Sequence, residues 1–124
     1  MRNMLGEAET WLGSQLREHV AVRIVYRRGE EACELPATVG KTVFEVSDQF
    51  GQQSWESRDY MVETAALAFS AGTITPEAGD RIWELRGGLT SVYEVMAPGK
   101  EPCFRYTGPG RESLRIHTKL VEEL

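Results

Sequence analysis

No run of this chain stays apolar for the ~20 residues a membrane helix needs, so a helical span is excluded. Cysteine is scarce as well. Cys33 and Cys103 are the only two, too few for a disulfide framework, and reduced thiols are the expectation. Together with His19 and His117 they give no pair at the short spacing of a zinc site, so no metal and no other cofactor is expected. The opening stretch MRNMLGEAETWLGSQ sets Glu7 and Glu9 where a signal peptide would carry its apolar centre. Use without export is therefore expected. Basic excess is missing too: 14 Lys and Arg against 19 Asp and Glu leave a formal charge of −5. That balance argues against a surface built to neutralise many nucleic-acid phosphates, though not against one that surrounds nucleic acid without gripping it.

What is present fits one domain over residues 1–124, long enough to bury a core without staples. Met4, Ala8, Trp11, Leu12 and Leu16 recur at spacings of three and four, and predict a helix over residues 4–20 with one apolar stripe. The period then changes to two. Val20, Val22, Ile24 and Tyr26 alternate with Arg23, Val25 and Arg27, a strand with one buried side. EACELPATVG reads as a second short strand, placed at an edge or bulge by Pro36, and KTVFEVS as a third. Residues 47–57, SDQFGQQSWES, are polar and aperiodic but hold Phe50 and Trp55, and predict a long projecting loop. RDYMVETAALAF follows as a strand with Met61, Ala65, Leu67 and Phe69 on one parity and a short helical end. Thr75–Gly99 reads as a hairpin: RIWEL, a reversal at RGGLTS, then VYEVM. Ile82 and Trp83 have opposite parity there, so one of them has to face something outside the sheet. Two further strands flank Gly108-Pro109-Gly110. About seven short antiparallel strands over residues 20–121 predict a mainly β fold, a small barrel or sandwich.

Chemistry is hard to find in this pattern. No nucleophile motif, phosphate-binding glycine loop or carboxylate pair stands out, and no enzyme is expected. His117 falls with Arg115 and Lys119 on one side of LRIHTKL and reads as part of a wet face. Most aromatics lie within apolar strands and read as core. Phe50, Gly51, Gln52, Gln53 and Trp55 are the candidates for contact with a partner or a channel. Arg23, Arg27 and Arg28 read first as a solvated strand edge. Set against Glu30, Glu31 and Glu34, they are also candidates for a subunit interface, with Trp11 beside them.

The motifs ATVGKTVFEV, ESRDY, TPEAGDRI, YEVMAPGKEP and LRIHTK resemble those of small head–tail joining proteins of tailed bacteriophages, the stopper or head-completion components of siphophage-type necks, in a prophage-like form. The resemblance runs from about Val22 to Val121 and rests on turns and strands. It implies a β-barrel with a long loop, and a ring of copies between the portal or adaptor and the tail terminator or tail tube. A monomer in isolation is still allowed. It further implies a loop, here residues 47–57, that helps retain packaged double-stranded DNA without reading its sequence, and a place in the virion neck after assembly in the host cytoplasm. A tail-terminator or tail-completion ring, and a generic small-barrel binding module, are the alternatives at this point.

Overall fold

A computed structural model describes residues 20–99 and 101–124. The helix expected over 4–20, and Trp11 within it, lie outside these residues, apart from Val20, which opens a strand. The strands are β1 (Val20–Arg28), β2 (Glu31–Asp48), β3 (Gly51–Glu63), β4 (Ala68–Phe69), β5 (Gly72–Thr73), β6 (Arg81–Arg86), β7 (Leu89–Val95), β8 (Phe104–Thr107) and β9 (Ser113–Glu123). A single 3₁₀ turn covers Thr64–Ala66. The fold is thus mainly β.

Seven strands form one antiparallel sheet in the order β3-β2-β1-β6-β7-β9-β8, and β3 also pairs with β9. Following neighbours from β3 through β2, β1, β6, β7 and β9 therefore returns to β3. Along β9 one edge is shared, with β8 against Ser113–Ile116 and β7 against Thr118–Glu123, while β3 takes the opposite edge up to Thr118. The small β4–β5 pair stands apart.

Side-chain alternation decides which face each strand buries. Ile24 and Tyr26 of β1, Leu35, Ala37 and Val39 of β2, Tyr60 and Val62 of β3, Ile82 of β6, and Leu114 and Ile116 of β9 meet in one core, joined by Leu67 and Val95. Removing such side chains from water is the main term holding the sheet together, roughly 1.5–3 kcal/mol for each large one. The β6–β7 hairpin turns on Gly87 and Gly88, with φ of 51° and 87°. A two-residue turn of this hand needs positive φ at both centres, which glycine adopts without a Cβ clash. Ile82 points inward; Trp83 points outward and lies under the Arg27 guanidinium, 4.9 Å from its ring centre.

Three expectations are corrected. EACELPATVG and KTVFEVS are one strand of 18 residues: Gly40 bears no turn and pairs with Asp59. Pro36 does sit where an edge position was expected, since the β2–β3 ladder starts only at Thr38. Second, residues 47–57 are not an irregular loop. The ladder continues out to Asp48 opposite Gly51, leaving Gln49-Phe50 as the turn. Polar residues alternate along an exposed ribbon as readily as along a loop, so composition hid the strand. Third, β3 ends at Glu63, and its buried apolar residues are Tyr60 and Val62, the parity opposite to Met61.

Candidate functional site

The feature that stands out from the body is the β2–β3 hairpin. β1 pairs with β2 only as far as Val39, and β9 pairs with β3 only from Arg58 onward. Between them, Thr42–Asp48 and Gly51–Ser57 pair with each other alone among the described residues. This arm extends up to about 24 Å at the rise of an ordinary strand. Its residues beyond Thr42 are largely exposed, and Phe50 at the tip is 83% exposed. Gly51 follows at the turn, and Gln52 donates to Glu45 at 3.2 Å across the ribbon. Gln53 is exposed as well.

An isolated two-stranded ribbon is marginal in water, so the arm needs an anchor at its base. Phe44 and Trp55, opposite each other in the ladder, stack with ring centres 4.9 Å apart. Phe44 also meets the His117 ring edge-on at 5.4 Å. Beneath them Asp59, wholly buried, gathers four donors. Ser57 Oγ at 2.5 Å and His117 Nδ1 at 2.9 Å reach Oδ1; the Thr42 hydroxyl and Arg115 Nε, the latter at 2.6 Å, reach Oδ2. Arg115 donates further to the Lys41 carbonyl at 2.9 Å. Residues of β2, β3 and β9 are thereby tied at one point. Burial alone would raise the Asp59 carboxyl, but the bonds from His117, Ser57, Thr42 and Arg115 outweigh it and hold the group at about 2. It is an anion at any neutral pH.

This corrects the reading of His117 as part of a wet face. Its parity is as expected, on the side of β9 away from the core, yet it is buried because the arm base covers that side. The grouping of Ser57, Asp59 and His117 has the residue types of a hydrolytic triad without its geometry. Ser57 and Asp59 both approach the same ring nitrogen, at 3.3 and 2.9 Å, and Ser57 donates to Asp59 directly. A relay needs the serine and the acid on opposite nitrogens. The arrangement positions strands.

On the core side of the arm base an open groove of about 750 Å³ is lined by Val39, Lys41, Glu56, Arg58, Tyr93 and Leu120, among others. Arg58 of that lining donates to the buried Glu84 at 2.6 Å, and Glu84 also accepts from Tyr60 at 2.7 Å and Arg86 at 3.0 Å. Burial would lower the Arg58 guanidinium, but its bonds to Glu84 and Tyr60 carry it above the ordinary value. Burial and the Glu84 carboxylate push the Tyr60 phenol well up, so it stays a donor.

A second acidic hub lies in the TPEAGDRI turn. Gly79 turns with φ 99°, and Asp80 accepts from the Glu77 amide at 3.0 Å, from the Tyr26 hydroxyl and from Arg28 at 2.8 Å. Arg28 also donates to the Thr75 carbonyl at 2.7 Å. Burial and the bond to Asp80 raise the Tyr26 phenol far above its usual range. The Gly-Asp pair thus fixes the turn to β1, a role that turn chemistry alone did not reveal.

A comparison with known protein families matches residues 2–124 to the phage head-tail joining proteins. The chain belongs to that family. Searches of curated proteins and of solved structures found no match. Membership carries a structural role at the virion neck and contact with other head and tail proteins.

Within this head-tail joining protein the expected interface residues are partly engaged by their own chain. Arg23 donates to Glu34 at 2.7 Å, both exposed, a contact worth little in water. Arg27 covers Trp83, and Arg28 is taken up by Asp80 and Glu77. Glu31 accepts from Ser70 at 3.1 Å, and Glu30 is exposed in the β1–β2 turn. These groups lie along the β1–β2 hairpin, where Arg28 stands opposite Glu31 in the ladder. Cys33 and Cys103 are free thiols, raised by burial. No helix among the described residues is long and apolar enough to cross a membrane.

Proposed function

We propose that this head-tail joining protein is a stopper. Copies form a ring between the portal-side adaptor and the tail, the circuit of strands closes as a small barrel in the ring wall, and the arm reaches into the channel to hold packaged DNA. The single observation that carries this reading is the arm itself: a ribbon anchored at Asp59 and, among the described residues, paired beyond Lys41 with nothing but its own two strands.

Its composition supports the same role. From Thr42 to Ser57 the chain has no Lys or Arg, and holds Glu45, Asp48 and Glu56. Affinity for duplex DNA grows with the number of phosphates neutralised. An arm without cations can obstruct DNA sterically, through Phe50 and the flanking glutamines, yet release it when the duplex has to pass. A barrel wall whose hubs are already satisfied needs no further partner for its own fold.

The test is a phage carrying a shortened arm, with Glu45–Ser54 replaced by an Asn-Gly turn so that the Asp59 anchor is kept. Electron micrographs are expected to show DNA-empty heads beside normal tails. Full heads bearing tails of uncontrolled length would replace the stopper reading with a tail-terminator role.

A further inference from the structure

A groove and a strand edge lie open at the same place, and the chain enters the described structure beside both. The groove runs along the core side of the arm base and has Val39, Tyr93 and Leu120 in its lining. Leu120 is 50% exposed, and Val43, four residues beyond Val39 and on the same parity of β2, is 55% exposed. Apolar surface of this kind is stabilised when it is taken out of water. The edge is the β1 side of β2. β1 begins with Val20 opposite Val39, and from Gly40 onward that side of β2 has no strand among the described residues. Open edges in native sheets are normally blunted or covered.

We propose that residues 4–19 of the same chain cover this groove, with Trp11, Leu12 and Leu16 set against Val39, Tyr93 and Leu120. Two observations choose this occupant. The segment joins the sheet at Val20, whose backbone pairs with the groove residue Val39, so its point of attachment is the groove's own rim. Its sequence also needs a face to lie on. Met4, Ala8, Trp11, Leu12 and Leu16 recur at spacings of three and four, a one-sided apolar pattern that gains its stability by burying that side. Reach sets no limit. Trp11 stands nine residues before Val20, a span of about 14 Å at a helical rise and about 30 Å extended, against about 5 Å between neighbouring strands.

The tether also decides between a chain's own segment and that of another copy. A segment on a short link meets its site at an effective concentration on the order of millimolar, whereas a second copy arrives from bulk solution. The cover closes the circuit of strands at its arm-side end, where β2, β7 and β9 line the groove together. It leaves the arm's tip clear, because the lining stops at Lys41 on β2 and Glu56 on β3. The inference therefore stands apart from the stopper reading: it concerns the foot of the arm, and the stopper role its tip.

The experiment uses the full chain with Cys33→Ser and Cys103→Ser. Leu12→Cys is combined with Leu120→Cys in the groove or, as a control, with Glu30→Cys in the β1–β2 turn at the far end of β1. Under mild oxidation of dilute protein, the link from position 12 to position 120 within one chain is expected to exceed the link from 12 to 30 about tenfold. The same link formed between two chains would give the groove to a neighbouring copy's segment and overturn the proposal, as would equal yields of the two products or neither product. A second measurement needs no cross-link. Maleimide should label Leu120→Cys about tenfold faster once Trp11→Asp and Leu12→Asp are added, with the circular dichroism of the sheet retained and Glu30→Cys labelled at one rate in both backgrounds. An unchanged rate at Leu120→Cys would also overturn the cover. DNA-empty heads from the shortened arm would support the stopper reading whichever way the groove result falls.

Discussion

The body and the arm are built from the same antiparallel ladder, yet they are held by different forces. In the body each strand lays one face on a shared apolar core, and Ile24, Tyr60, Ile82 and Ile116 have no exposed surface at all. In the arm, Phe44 and Trp55 stack at the base, and Gln52–Ser54 are exposed. Its stability comes from its base, where one buried carboxylate joins three strands. A sheet that loses its core can persist as a lever only if its foot is fixed, and Asp59 is that foot. The difference separates residues that keep the protein folded from residues free to meet a neighbour.

The largest effect should come from the body. Ile82→Ala leaves a cavity between β1 and β7, and denaturant unfolding is expected to show a loss of about 2–5 kcal/mol. The anchor comes next. Asp59→Asn should cost about 2 kcal/mol, because Arg115 and His117 lose a charged acceptor. It should also change the pH profile. The Asp59 group titrates near 2 when folded against an ordinary 3.8, so the unfolded chain takes up the proton first as pH falls. Its contribution is complete above about 4 and lost toward about 2, and in Asp59→Asn that acid-side slope should shrink. Persistence of the full slope would place the anchor elsewhere. The smallest effect belongs to the tip: Phe50→Ala should shift stability by less than about 0.5 kcal/mol in the same assay. A larger loss would mean that the tip packs on the body.

How much of this was legible in the chain depended on where side chains alternate against a core. β1 and the β6–β7 hairpin were plain, because Val22, Ile24 and Tyr26 share a period of two and Gly87-Gly88 marks the reversal. At Gly40 the sequence suggested a break, but glycine there is only a gap in the ladder's side chains. Along Gln49–Ser54 both faces are wet, so no apolar period announces a strand. His117 shows the limit most clearly. Its parity could be read from LRIHTKL, but its burial depends on Phe44 and Trp55, far away in sequence, folding over it. The Asp59 and Asp80 hubs were invisible for the same reason, since each joins residues 50 or more positions apart. The family could be recognised from turns and strands because those are local.

One consequence follows from the place of β9. It pairs with β3, β7 and β8, all of which precede it. A ribosome therefore delivers every other member of the circuit before the one that shuts it. Until Ser113–Glu123 has left the exit tunnel, the newborn chain holds open sheet edges with nothing to close them. Maturation should then be gated by the emergence of β9, and such non-local pairing is slow to form. In a crowded infected cell that delay is a window in which nascent copies can meet the wrong strand.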